Sequence, residues 1–334
     1  MRTRMFCQVA VAAGCLAMAG WADTTLRGPM LGYVLDSRAQ ALRPIQGIPG
    51  AATLGAPVDL GFPVLRAAVS SRGDFALVVR AEDQALWLAR LEPGGVAVAA
   101  VPGALANAER IAFNITDRAA AVYAAGRLQL LRGLPLNPEA GAIVNVSSLG
   151  AVTALALDSE ASTALLAVSD GLQGGLYRVP LPEVGDAGQT VEAQARLVAH
   201  LAAPTAVALV RQERDAVVSD AGWNRILLIQ NWSGEAAVMT LAGEGQGIAR
   251  PVGVEVSADG RLVFAANAAS ATVAVVELET GAVDLKPALE ATPTRLERLQ
   301  GRVTFLLNEP GEEPLLVLDN AEKAQIYFVP GGRN

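Results

Sequence analysis

Four residues that could do chemistry together fall within six positions: Asp220, Trp223, Asn224 and Arg225, in DAVVSDAGWNRILLIQNWSG (215–234). An acid, an amide and a guanidinium this close are the makings of a catalytic or cation-binding cluster, with the indole as a platform for a ligand. The same residue types also punctuate turns, because Asp and Asn side chains accept backbone N–H bonds where a strand ends. The apolar runs on either side, DAVVS and RILLIQ, decide how these residues are positioned.

Residue counts exclude several chemistries at once. The two cysteines, Cys7 and Cys15, both lie in the first 22 residues, so the rest of the chain can form neither a thiolate zinc site nor a cysteine nucleophile. His200 is the single histidine, so a three-histidine catalytic zinc site cannot be assembled within one chain. His200 could act as a general base, but no G-x-S-x-G elbow is present to give it a serine nucleophile. GEGQG (243–247) is not followed by Lys-Ser/Thr and reads as a glycine-rich loop, without the signature of a phosphate loop.

Residues 1–22 read as a secretory leader: Arg2 and Arg4, an apolar stretch from Met5 to Met18, and Gly20-Trp21-Ala22 as a small-x-small cleavage site. The expected destination is the periplasm or the exterior, with lipoprotein anchoring at Cys15 as the alternative. Lys and Arg number 26 against 33 Asp and Glu, a net charge of −7, which becomes −9 once Arg2 and Arg4 leave with the leader. With no basic run, neither nucleic acid nor an anionic membrane is an expected partner. Residues 23–334 are 312 positions that, with 52% hydrophobic residues over the whole chain, can build one large core.

A repeat organises that length. SADGRLVFAAN (257–267) aligns without gaps with SSRGDFALVVR (70–80), NITDRAAAVYA (114–124), DSEASTALLAV (158–168) and VRQERDAVVSD (210–220), and in its last nine residues with QGRVTFLLN (300–308). Each is an apolar run, a tight polar turn and a second apolar run. The turn markers Gly73, Asp117, Ala161, Glu213, Gly260 and Gly301 are spaced by 44, 44, 52, 47 and 41 residues. SRAQALRPI (37–45) matches AEDQALWLA (81–89) and adds an earlier unit. Seven units of 40 to 50 residues, each with about four short strands, predict an all-β propeller of seven four-stranded blades in a single domain, residues 23–334. Six blades plus an N-terminal hairpin is the alternative, because the first unit starts at its second strand. In that first unit DTTLR (23–27) is the candidate missing strand. EVGDAGQTVEAQARL (183–197) reads as an enlarged loop that accounts for the spacing of 52.

GEGQGIARPVGVEVSADGRLVFAANAASATVAVVELETG (243–281), with the stretch just before it, resembles NHL and YVTN propeller repeats. The resemblance covers roughly 90 residues. It implies that Asp220 and Asn267 close second strands, that Asn224-Arg225 and Thr272 open third strands, and that Pro251 and Pro293 introduce the next blades. Such motifs specify fold far better than activity.

In a propeller the loops joining second to third strands, and fourth strands to the next blade, share one rim. That rim is predicted to receive Asp36, Arg38, Arg80, Asp83, Asp170, His200, Asp220, Trp223, Arg250, Asn267, Asn308 and Glu309. Gathered at one mouth, the carboxylates and amides could bind a cation of the Ca²⁺ type; dispersed, each is a solvated turn residue. Two functions follow. One is an exported binding or protein-assembly module that needs no cofactor and presents its rim to a protein, glycan or small ligand. The other is a metal-assisted hydrolase or lactonase on the loop face.

Overall fold

The computed structural model describes residues 28–331 except 93, 172, 183–186, 211, 287–290, 302 and 312. Seven sheets follow one another along the chain, antiparallel except for one added parallel strand. The first blade holds β1 (Met30–Asp36), β2 (Ala41–Gln46) and β3 (Thr53–Leu54). The second holds β4 (Val64–Val69), β5 (Phe75–Arg80), β6 (Leu86–Glu92) and β7 (Gly95–Ala100). The third holds β8 (Arg110–Phe113), β9 (Ala119–Ala124), β10 (Arg127–Arg132) and β11 (Glu139–Asn145). The fourth comprises β12 (Ala151–Leu157), β13 (Thr163–Ser169), β14 (Gly174–Pro180) and, after β15 (Thr190–Glu192), β16 (Arg196–Leu201). β17 (Pro204–Val210), β18 (Asp215–Asp220), β19 (Arg225–Gln230) and β20 (Ala237–Ala242) make the fifth. β21 (Pro251–Val256), β22 (Leu262–Asn267), β23 (Thr272–Glu277) and β24 (Val283–Leu285) make the sixth. β25 (Glu297–Arg298), β26 (Thr304–Leu306), β27 (Leu315–Asp319) and β28 (Gln325–Val329) make the seventh.

Strand burial follows position in the blade. Second strands such as β9 and β18 are buried throughout, because both of their faces pack against neighbouring blades. First strands such as β17 are largely half-buried and border the axis, and fourth strands such as β7 are mostly exposed. The buried apolar residues form seven clusters, one at each junction between blades. One of these packs Leu31, Val34 and Ile45 of the first blade against Leu306, Leu315 and Val317 of the last, so the ring is closed. Seven blades is therefore the architecture.

Two details refine the sequence expectation. Among the described residues the first blade has three strands, not four, and DTTLR (23–27) lies outside those residues. At that blade the last one reaches across: Gln300 N–H donates to Leu31 O (2.9 Å) and Gly301 N–H to Ser71 O of the second blade (2.8 Å). The enlarged loop before β16 contains β15, which pairs in parallel with β11 and gives the third blade a fifth strand. The spacing of 52 is thus the length needed to cover a neighbour's edge.

All six turn markers adopt positive φ: Gly73 68°, Asp117 58°, Ala161 54°, Glu213 64°, Gly260 70° and Gly301 86°. The gapless alignment therefore picked out a left-handed residue in each of these turns, with Gln212 at φ 55° a second one beside Glu213. At Asp117 and Glu213, where that conformation costs more than at glycine, the side chains bond the preceding blade's turn. Asp117 Oδ2 accepts from Ser71 N–H (3.0 Å) and Oγ–H (2.5 Å), and Glu213 Oε2 accepts from Ser159 N–H (2.7 Å).

Candidate functional site on the loop rim

Strand order places the predicted candidates at the ends of second strands, in the loops that follow them, or beside the connections between blades. Asp220 ends β18 and is completely buried. Its Oδ1 accepts from Ala203 N–H (2.9 Å) and its Oδ2 from Ala202 N–H (3.1 Å), while the Arg225 guanidinium lies 3.4 Å from Oδ2. One carboxylate thereby ties the connection entering the fifth blade to that blade's second and third strands. Gly222 is required here for close approach, since a Cβ on it would stand 2.9 Å from Ala203 N and 2.5 Å from Ala202 Cβ.

Asn267 repeats the arrangement one blade later. It too is fully buried, with Oδ1 accepting from Ala249 N–H (3.2 Å) and Nδ2 donating toward Thr272 Oγ1 (3.3 Å). Asn224, at φ 47°, accepts from Arg250 N–H (2.7 Å) and lashes the β18–β19 loop to the next connection. The resulting cluster faces solvent through Trp223, 54% exposed, with the Arg225 guanidinium 4.1 Å from its ring centroid. Arg250 is exposed beside it, and its side chain makes no ion pair among the described residues.

The other candidates are held within their own blades. Asp36 accepts from the N–H groups of Arg38 and Ala39 and from Arg43 (3.1 Å each). Burial works to raise its pKa, but these donors outweigh it and hold the carboxyl below the ordinary range. Arg80 forks onto Asp83, with Nε 2.9 Å from Oδ1, and that hydrogen bond, aided by Ala85 N–H, pulls Asp83 down to about 2. Arg80 also lies over the Trp87 ring (4.6 Å), which packs against Phe62. Asp170 accepts from Gln173 N–H across its hairpin (2.7 Å), and Asn308 closes its own turn through Leu316 N–H (2.7 Å) and Pro314 O (3.0 Å). Glu309 pairs with Arg295 at the surface. His200 is exposed on β16, an outermost strand, opposite Gly175. Among the described residues no three His, Cys, Asp or Glu side chains gather as a metal-ligand set.

GEGQG is a tight turn between strands, with Gly243 N–H donating to Gln246 Oε1 (3.0 Å); the strand β21 follows it. One pair beside the axis was not legible in the sequence. Glu255 on β21 meets Arg298 on β25 at 2.8 Å, and Arg298 also donates to Val256 O (2.7 Å). Burial pushes the Glu255 carboxyl up while Arg298 opposes the shift. Forty-three residues separate the two, so only the packing of consecutive first strands reveals them.

No family model and no curated protein matches the sequence. Solved structures do resemble the fold. A functionally unknown protein from Desulfotomaculum acetoxidans DSM 771 superposes with a TM-score of 0.61 at 12% identity, covering 91% of this chain and all of that one. A candidate 6-phosphogluconolactonase from Bacteroides fragilis NCTC 9343 gives 0.64 at 11% identity over 90% of this chain and 92% of that one. A chain of the nidogen/laminin complex gives 0.54 at 13% identity over 81% and 96%. At such identities the likeness is one of fold alone, and the count of seven blades rests on the sheets of this chain.

Proposed function

We propose that this protein is an exported propeller of degenerate NHL/YVTN-type blades that works as a binding or assembly module, engaging its partner through the loop rim around Trp223. The observation that carries this reading is the exposed indole itself. Hydrogen bonds fix the backbone around it, the Arg225 guanidinium stacks on it, and Arg250 is tied through its N–H to the neighbouring Asn224. A rigid aromatic flanked by arginine is the kind of group that anchors interfaces. The acidic rim residues are spent on fastening turns, which weighs against the metal-assisted hydrolase reading. The structural likeness to a candidate lactonase bears on fold alone.

The test is a thermal-shift screen of residues 23–334 against sugars, lactones, cell-wall fragments, Ca²⁺ and chelator. A ligand at 100 times its Kd adds about 2.7 kcal/mol, a shift of several degrees. We expect a shift with a polymer or fragment that disappears in Trp223→Ala. Calcium-dependent lactone turnover that survives Trp223→Ala would overturn the reading. Mass analysis of the secreted protein tests export, with a mature chain beginning at Asp23 as the expected result.

A further inference from the structure

The opposite rim carries a second feature. A groove of about 620 Å³, within the size range of small-ligand sites, opens across the turns of the second, third and fourth blades. Several of its acceptors are already engaged. Asn114 Oδ1 takes the N–H groups of Arg118 (3.1 Å) and Ala119 (3.2 Å), Asp74 takes the Ser70 hydroxyl (2.6 Å), and Asp117 is held by Ser71. Burial pushes the Asp117 carboxyl up, despite those bonds. Glu160 is the remaining carboxylate, exposed at the edge.

Its cationic donors are only partly engaged. Arg72, Arg118 and Arg132 all line the groove, and none lies within ion-pair distance of a carboxylate among the described residues, although Arg72 is near enough to Asp117 to favour its charged form. Arg132 is the informative one. Half-buried, it donates from one terminal nitrogen to Ala161 O (2.8 Å), while its Nε is shut off from solvent with no acceptor. Buried donors are ordinarily satisfied and buried cations ordinarily paired. Beside the arginines, Leu134, Pro135 and Leu136 form an apolar wall, and Leu136 is 73% exposed. Arg90 holds that wall in place by donating to Pro135 O (3.0 Å) and Leu136 O (2.9 Å).

We infer that this groove is a second binding site, for a small organic acid whose carboxylate meets the Arg72, Arg118 and Arg132 guanidinia and whose apolar body lies on Leu134–Leu136. Guanidinium forks match carboxylate geometry, and the apolar wall selects against inorganic anions. The net charge of −7 repels anions from the molecule at large, so anion binding has to be local.

Isothermal titration of the full chain with 4-phenylbutyrate and with its neutral counterpart 4-phenylbutanol tests this directly. We expect one carboxylate per chain, at least tenfold tighter than the alcohol and weakened several-fold between 50 and 300 mM salt, on the order expected from screening. Arg132→Gln should lose binding. Because Arg132 also bridges two blades, the surface double variant Arg72→Ala/Arg118→Ala provides a second test and should lose at least about tenfold. Trp223→Ala, on the other rim, should bind as wild type, which separates this site from the loop-rim reading. Equal binding of acid and alcohol, no saturable heat with either, or an unimpaired double variant would overturn the inference.

Discussion

The two rims of the disc are fastened by different rules. On the turn rim one device recurs: Ser70, Asn114, Asp158 and Ser257 each use a side-chain oxygen to accept N–H groups four or five residues ahead, and a left-handed residue follows three positions on. On the loop rim the solutions vary, with only Asn267 echoing Asp220: Asp36 takes Arg43, Arg80 takes Asp83, Asp220 takes two alanine amides, and Asn308 caps its own hairpin. A propeller must repeat the geometry that sets blade against blade, whereas the loops at the opposite end are free to diverge. The rim that diverges is the one that presents Trp223.

This contrast can be broken experimentally, and the largest effect should come from Asp220. Asp220→Ala leaves the Ala202 and Ala203 amides and the Arg225 guanidinium without their acceptor, at a cost of about 2–4 kcal/mol in denaturant unfolding. Asp220→Asn should recover most of that, because Asn267 does the equivalent work in the next blade. A catalytic carboxylate would give the opposite pattern, with activity lost and stability kept.

On the turn rim, Asp117→Ala removes the link to Ser71 and should cost about 1–2 kcal/mol. Asp117→Asn keeps an acceptor and suits the left-handed backbone, so its cost at pH 7 should be under about 0.5 kcal/mol. The sign of the pH effect follows from the raised pKa of Asp117. Between its unfolded value, near 3.8, and its higher folded value, the native state binds more protons, so its contribution to stability falls as pH rises. Asp117→Asn should remove that fall, as measured by chemical denaturation from pH 3 to 7. The smallest stability effect belongs to Trp223→Ala, within about 0.5 kcal/mol, because the ring is mostly exposed.

The sequence carried much of the turn rim, since one gapless alignment located a left-handed residue in each of six turns and hence the blades. It also placed Asp220 and Asn267 at strand ends. It could not show β15, three residues whose only signature is a parallel pairing with β11 across a long excursion. Nor could it show the Glu255–Arg298 pair or the three arginines of the groove, because each joins residues from different blades. The loop candidates were legible as positions but not as a constellation. What holds each one is a backbone amide or a neighbour in its own blade, and backbone partners leave no trace in residue type.

The central claim is that the Asp220 cluster fastens blades and leaves Trp223 as the group offered to a partner. Amide hydrogen exchange at Ala202 and Ala203, in wild type, Asp220→Asn and Asp220→Ala, tests it most directly. Slow exchange in wild type, largely kept in Asp220→Asn and lost at those two amides in Asp220→Ala, is the predicted result. Fast exchange at both amides in wild type, or exchange indifferent to Asp220→Ala, would contradict it and return Asp220 to the candidates for chemistry.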